Sequence, residues 1–388
     1  MPWSARGLHA FRNGAQVMKP TWPCKASYRF RYDSRPQYRF SSSSSDQPPR
    51  KEPHAEESAA SGQPRQTSPS QDDLSSQSIR CDDHTVSPLN TIQLLSKDTQ
   101  EDLSPLLTTS FSHLQKSYQS PAHPIVLAHG LLGFDELRLG VAGRYLPPVH
   151  YWRGIKSAFA SHGIESISTA VPSTGSIPVR AEALYSQIAD QLRGRTVNIV
   201  AHSMGGLDAR WLISRLCPPA SDFTVASLTT IATPHRGSST ADMVFRDIGP
   251  DLLPRLYSIL DKLGLTTDAF SQLTTSHVTQ HFNPVVPNSA SVRYFSYGAS
   301  ATPHLFSVFR VSHDLMNEIE GPNDGLVSVR SAKWGEYKGT LVGVTHLDLI
   351  NWTNRIKHAA AKMGLVEQKF NAQAFYLGVA DMLAKEGL

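Results

Sequence analysis

From residue 121 onward, short apolar runs rich in β-branched residues alternate with segments of helical period. The runs Ile125–Ala128, Ile164–Ala170, Val197–Ala201, Val225–Ile231, Val292–Tyr297 and Thr340–Val344 have the length and composition of strands. Between them, Leu184, Ile188 and Leu192 recur every fourth residue with Gly194 as a stop. A second helix is predicted from Leu207 to Leu216, closed by Cys217-Pro218, and a last one, with an apolar face, from Phe370 to Leu383. Strands that alternate with helices predict an α/β domain: a mostly parallel central sheet with helices on both faces. The chain contains no internal repeat.

The first third of the chain reads differently. Residues 41–85 are rich in Ser, Pro, Gln and charge and nearly free of large apolar side chains. Such a segment cannot bury enough surface to offset its ordering entropy, so a disordered linker is expected. Residues 86–120 carry a weak apolar recurrence (Ile92, Leu94, Leu95, Leu103, Leu106, Leu107) and are expected to form a partly helical arm leading into a domain spanning 121–388.

Charge refines this division. The 388-residue chain has a net charge of +4 and is 40% hydrophobic, enough for a sizeable core. Residues 1–40, however, hold eight Lys/Arg against one acid, Asp33, so the remainder is mildly acidic. The body of the chain therefore offers no basic patch for nucleic acid. The arginine-rich, acid-poor start, lacking a long apolar core, has the composition of a mitochondrial transit peptide, with the matrix as the expected destination. No apolar run reaches the length of a membrane span, so no transmembrane segment is expected. Cys24, Cys81 and Cys217 are scattered over the basic start, the linker and the domain, which argues against a buried structural disulfide.

The most informative stretch is Ala201-His202-Ser203-Met204-Gly205-Gly206, which joins the run Val197–Val200 to the helix starting at Leu207. A serine among small residues where a strand turns into a helix is a nucleophile elbow: the tight turn exposes Oγ and aims the helix N-terminus at the reacting centre. The usual pattern is Gly-x-Ser-x-Gly, and Ala201 takes its first place. A serine hydroxyl needs a base, and the base needs a carboxylate to hold its tautomer. In elbows of this kind the chain order is Ser, then Asp or Glu, then His. Downstream, Asp324 stands in the turn Gly321-Pro322-Asn323-Asp324-Gly325, and His346 just follows the run Thr340–Val344. Upstream, His129-Gly130-Leu131 follows the strand Ile125–Ala128, where a flexible turn could offer backbone donors to an oxyanion. Those donors would be the N–H groups of Leu131 and Met204. His202 is expected to pack away from the site, Asp208 to tie down a neighbouring loop, and His235 and Arg236 to serve structure.

Taken together these segments resemble the α/β-hydrolase serine lipases, and in particular the Pseudomonas/Burkholderia-type triacylglycerol lipases and their fungal mitochondrial relatives. The resemblance rests on residues 128–134 (AHGLLGF), 150–155 (HYWRGI), 201–207 (AHSMGGL), 229–238 (TTIATPHRGS), 321–328 (GPNDGLVS) and 345–351 (THLDLIN). It implies an α/β-hydrolase fold with Ser203 as nucleophile, Asp324 as acid, His346 as base, and Leu131 with Met204 as the oxyanion hole. The bacterial members carry a structural calcium near the histidine loop. Asp348 stands where one calcium carboxylate would be, but only Asp314 offers itself as a second, and Trp352 replaces a polar partner. No metal and no cofactor are therefore expected.

Lipases carry a cap or lid in the position of residues 240–290. Here Leu252, Leu256, Ile259, Leu260 and Leu263 lie at helical spacing, with Arg255, Ser258 and Lys262 on the other face. A helical cap that shows an apolar face to lipid when open favours acyl-chain esters and brings peripheral contact with a lipid surface. The expected activity is hydrolysis of acylglycerol esters through an acyl-enzyme on Ser203. A phospholipase or acyltransferase would use the same triad, and a non-catalytic lipid-binding relative is disfavoured by the intact Ser203, Asp324 and His346.

Overall fold

The computed structural model describes residues 103–107, 110–131, 136–137, 149–173, 175–246, 267–302, 309–351 and 370–388. The chain divides into two units, Met1–Thr85 and Val86–Leu388, and every described residue belongs to the second. The basic N-terminus, the linker and the cap helix expected at 252–263 lie outside the described residues, as does Trp352.

Seven strands form one parallel sheet: β1 (Leu106–Leu107), β2 (Ile125–Ala128), β5 (Ser166–Ser168), β6 (Arg195–His202), β7 (Phe223–Ile231), β8 (Arg293–Ser300) and β9 (Glu336–Val342). Their order is β1-β9-β8-β7-β6-β2-β5, and a separate antiparallel ribbon joins β3 (Glu136–Leu137) to β4 (Val149–His150). β6, which carries the elbow, lies between β2 and β7, with Ala201 opposite Ala128 on one side and Thr230 on the other.

The sheet is buried on both faces, which explains the continuous apolar runs. In β2 the side chains alternate: Ile125 and Leu127 enter one core cluster, Val126 and Ala128 the other. The first cluster is closed by α1 (Ile155–Ser161) and α4 (Ala372–Lys385), the second by α2 (Ile177–Gln191) and α3 (Gly205–Trp211). A third, smaller cluster gathers Ile177, Met204, Leu207, Leu273, Val278 and Phe282, with Leu131 packed against it. Among the described residues no helix is long and apolar enough to cross a membrane.

One expectation is corrected. Part of the arm, Leu106–Leu107, is the edge strand of the sheet, pairing with Thr340 and Leu341; two residues are too few to show a period. Cys217, half-buried, closes its helix in a left-handed conformation (φ 44°).

The joint between β6 and α3 is packed without room for side chains. A Cβ on Gly205 would stand 2.6 Å from the carbonyl oxygen of His129 and 2.7 Å from that of Ala128, and one on Gly206 would strike Thr233. Gly205→Ala is expected to lower stability by about 1–3 kcal/mol through overpacking. Gly163→Asn, at a left-handed position (φ 69°) with open space around it, should cost well under about 1 kcal/mol. Urea unfolding of the two variants beside the parent protein measures the contrast.

Candidate active site

Ser203 sits at the joint with φ 55°, the left-handed region that a non-glycine residue enters only when its surroundings hold it there. Three bonds do so. Its N–H donates to the Ile231 carbonyl at 2.9 Å, and its own carbonyl accepts from Gly206 N–H at 3.1 Å and Thr233 Oγ1 at 2.7 Å. Ser203 is half-exposed, whereas its neighbours His202 and Met204 are buried. Met204 opens α3, and its side chain anchors in the third cluster together with that of Leu131.

Asp324 and His346 meet directly: Nδ1 of His346 donates to Oδ2 of Asp324 at 2.7 Å. The turn chemistry read from the sequence builds the aspartate's setting. Gly325, at φ 101°, lets the chain reverse, and the Asn323 side chain caps it by accepting from Gly325 N–H at 2.9 Å. Oδ1 of Asp324 accepts from the N–H groups of Leu326 and Val327 at 3.0 and 2.8 Å. The carboxylate is thus buried yet saturated by three donors, and it fixes the proton of His346 on Nδ1, leaving Nε2 as the acceptor. The base loop is held at the backbone too, since His346 N–H donates to the Asp324 carbonyl at 3.1 Å. The His346 ring lies 4.5 Å from the ring of His202, the residue preceding Ser203.

The His129-Gly130 turn abuts the nucleophile. A Cβ on Gly130 would come 2.7 Å from Ser203 Cβ, so only glycine lets the turn approach this closely. Its peptide groups are held by a residue the sequence reading did not single out, Arg180 of α2. The guanidinium is fully buried; Nη2 donates to the carbonyls of His129 and Gly130 at 2.9 and 3.1 Å, and Nη1 to that of Pro172 at 2.7 Å. The His129 ring adds a further bond from Nδ1 to the Gly130 carbonyl at 2.9 Å and accepts from Val171 N–H at Nε2. A trans peptide points its N–H opposite its carbonyl, so drawing the Gly130 carbonyl toward Arg180 turns the Leu131 N–H the other way.

Asp208 does what the sequence suggests, tying down a loop: its Oδ2 accepts from Arg180 Nε at 2.8 Å. Burial pushes its carboxyl up to about 7 against the pull of the guanidinium, in keeping with an Oδ1 that has no hydrogen-bond partner. His235 and Arg236 also stay structural. His235 stacks on Trp334 at 5.0 Å and bonds Thr230, and Arg236 donates to the carbonyls of Arg330 and Lys333.

The two carboxylates weighed for calcium are each engaged by neighbouring residues. Asp348 spends Oδ2 on the N–H and hydroxyl of Thr345, at 3.0 and 2.8 Å, bracing the turn that carries His346. Asp314 pairs with Arg310 at 2.6 Å. Among the described residues no group of three or more His, Cys, Asp or Glu is placed to hold a metal.

Over 314 residues the chain is 37% identical to triacylglycerol lipase 2 of Saccharomyces cerevisiae, a match that covers 70% of this chain and 94% of the yeast protein. The chain belongs to the triacylglycerol lipase family. The triacylglycerol lipase of Vibrio cholerae is 29% identical over 63% of this chain and 84% of its own length. No protein-family model matches the sequence. Among solved structures, Staphylococcus hyicus lipase superposes with a TM-score of 0.51 at 20% identity, over 70% of this lipase and 98% of that chain. The fold of this lipase is the α/β-hydrolase fold, as the resemblance implied.

The buried histidines His129, His202 and His235 carry a pH signature. Burial holds His129 down at about 4, and holds His202 and His235 well below the ordinary imidazole value. A base whose folded pKa is depressed takes up its proton more readily when unfolded, so the stability it supports is present above about 6.5 and lost as pH falls toward the folded value. Asp208, raised to about 7 by burial, acts in the opposite direction over the same interval, so the histidine contribution is read as a difference: from pH 7 to 5 the urea midpoint of the parent should lose more, or gain less, than that of His129→Gln, which removes one titrating group. The same pH dependence in the two proteins would contradict neutral burial of His129.

Proposed function

We propose that this lipase cleaves acylglycerol esters through an acyl-enzyme on Ser203, with His346 as general base, Asp324 as its orienting acid, and the N–H groups of Leu131 and Met204 as the oxyanion hole. The observation that carries this reading is the pair His346–Asp324 at 2.7 Å, with Nε2 of His346 left free to accept. Ser203 Oγ attacks the ester carbonyl carbon while Nε2 takes its proton, and the carbonyl oxygen becomes an oxyanion facing the two N–H donors. Collapse breaks the bond to the glycerol oxygen, which leaves with the proton returned by His346. Water then repeats the sequence against the acyl-serine, releasing the fatty acid and restoring Ser203. The developing imidazolium is stabilised by Asp324, whose remaining oxygen is already held by two backbone N–H groups.

The substrate class follows from the family names and from the apolar cap spacing in residues 252–263. The test is hydrolysis of a long-chain triacylglycerol emulsion and of a soluble short ester by the purified protein. Ser203→Ala and His346→Ala are each expected to lower kcat by about 10⁴-fold or more, and the double variant to fall little further, because the residues act as one unit. Asp324→Asn should lose a similar factor by reversing the tautomer of His346. Activity confined to the short ester, or to phospholipid, would move the acyl acceptor or leaving group while leaving the triad in place. Emulsion hydrolysis unaffected by Ser203→Ala would overturn the reading.

We further propose that residues 1–40 direct this lipase to the mitochondrion. The support is compositional: eight basic residues against one acid. A fluorescent fusion lacking residues 1–45 is expected to lose mitochondrial staining, and retention of that staining would overturn the assignment.

A further inference from the structure

The oxyanion turn and the base loop are joined by a second polar connection, separate from Arg180. Tyr151, next to the β4 strand and buried, places its hydroxyl between two partners: Oη accepts from Gly130 N–H at 3.0 Å and lies 2.6 Å from Nδ1 of His202. A phenol has one proton. With the oxygen accepting from Gly130, the O–H donates to His202, so Nδ1 is an acceptor and the imidazole proton is on Nε2. That nitrogen faces the backbone of His346 without a short hydrogen bond to it. The rings of His202 and His346 are 4.5 Å apart and inclined by 44°. Contacts therefore run from the turn that flanks Ser203, through Tyr151 and His202, to the loop that carries the base.

We propose that Tyr151 and His202 are positioning residues for the ester hydrolysis: together they fix the Gly130 peptide and the His346 loop at one separation, so that the oxyanion donors and the base engage the same reacting carbon. This rests on the triad reading above. Neither residue touches the reacting atoms. Tyr151 holds the N–H end of the peptide whose carbonyl end Arg180 holds, so the His129–Gly130 peptide plane is clamped at both ends. Arg180 alone would leave that plane free to rock about the carbonyl. His202 contributes in a second way. Buried and neutral, it packs against His346 without adding charge, so the imidazolium formed during turnover meets no repulsion from it.

The experiment compares Tyr151→Phe with Tyr376→Phe in the full-length protein. Tyr376 is also fully buried and belongs to the same aromatic cluster, 5.5 Å from Trp152, but its hydroxyl has no hydrogen-bond partner. Its loss should leave kinetics unchanged. Tyr151→Phe is expected to lower kcat by about tenfold to a hundredfold with KM within about twofold, because geometry at the reacting centre is lost while substrate binding is kept. Affinity for an alkyl boronic acid, which becomes tetrahedral on the serine, should fall by a similar factor to kcat/KM. His202→Leu should lose as much as Tyr151→Phe, the double variant should not multiply the two losses, and His202→Asn should recover part of the rate because its carbonyl oxygen can accept from the phenol. A kcat for Tyr151→Phe within twofold of the parent overturns the proposal, as does an equal loss in Tyr376→Phe or full multiplication in the double variant. Should Tyr151→Phe fail to fold, the contrast between His202→Leu and His202→Asn decides by the same criteria. In all these cases Ser203→Ala reports on the triad separately: its loss of activity with an unaffected Tyr151→Phe would sink the positioning role alone.

Discussion

A serine cannot stay in the left-handed region without support, and the rest of this site is arranged around that fact. The backbone at Ser203 has φ 55°, a conformation that costs an L-residue on the order of 1–3 kcal/mol. Its amide and carbonyl are committed to Ile231, Gly206 and Thr233, so the turn is held by β7 and by the first turn of its own helix. The close approach of Gly205 to the carbonyls of Ala128 and His129 then forces the end of β2 against the elbow. This contact brings the His-Gly turn within reach of the nucleophile, and the position of the oxyanion donors follows from it.

The polar groups behind the turn follow from the same closeness. A backbone folded this tightly against another leaves carbonyls buried, and buried carbonyls need donors. Arg180 supplies several from one side chain, at the cost of burying a guanidinium, which Asp208 offsets. A buried ion pair of this kind contributes little net stability compared with an apolar replacement. Its value lies in direction: it turns the Gly130 carbonyl inward and so leaves the following N–H facing the other way. His129, kept neutral by burial with its proton on Nδ1, donates to the same carbonyl while its Nε2 accepts from Val171 N–H, which only the neutral ring can do.

How much of this was legible depends on whether a feature is local. β2 is written as an uninterrupted apolar run and the core of β6 as one broken only by Asn198, because both faces of the sheet are covered. β8 and β9 were placed but with shifted ends, since their polar residues Ser296 and Ser300, Glu336 and Lys338 blur the run. Asp324 and His346 are 22 residues apart, yet each is announced by its own turn or strand end, and the structure brings them together. Arg180 and Tyr151 carry no such mark. Their partners are 28 and 51 residues away, and an arginine on an amphipathic helix or a tyrosine beside a tryptophan is ordinary on its own. Tyr151 did lie within the segment 150–155 that carried the resemblance, which was the one available signal. Asp348 braces its own turn through Thr345, a role that its sequence setting alone does not distinguish from a ligand's.

The alanine at position 201 shows which part of the elbow demands small residues. Ala201 is still a strand residue, opposite Ala128 and Thr230, and its side chain is fully buried in the cluster with Val126, Ala209 and Leu212. A methyl there adds to the apolar packing of that cluster. At Gly205 and Gly206 the neighbours are backbone oxygens and Thr233, which a methyl would displace. The steric requirement is therefore one-sided. It falls on the helix side of Ser203, where the chain must press against the end of β2, whereas on the strand side the sheet has already set the spacing. An elbow that begins with alanine keeps every contact that bends the backbone at the serine, and the departure from the glycine pattern leaves the joint's geometry intact.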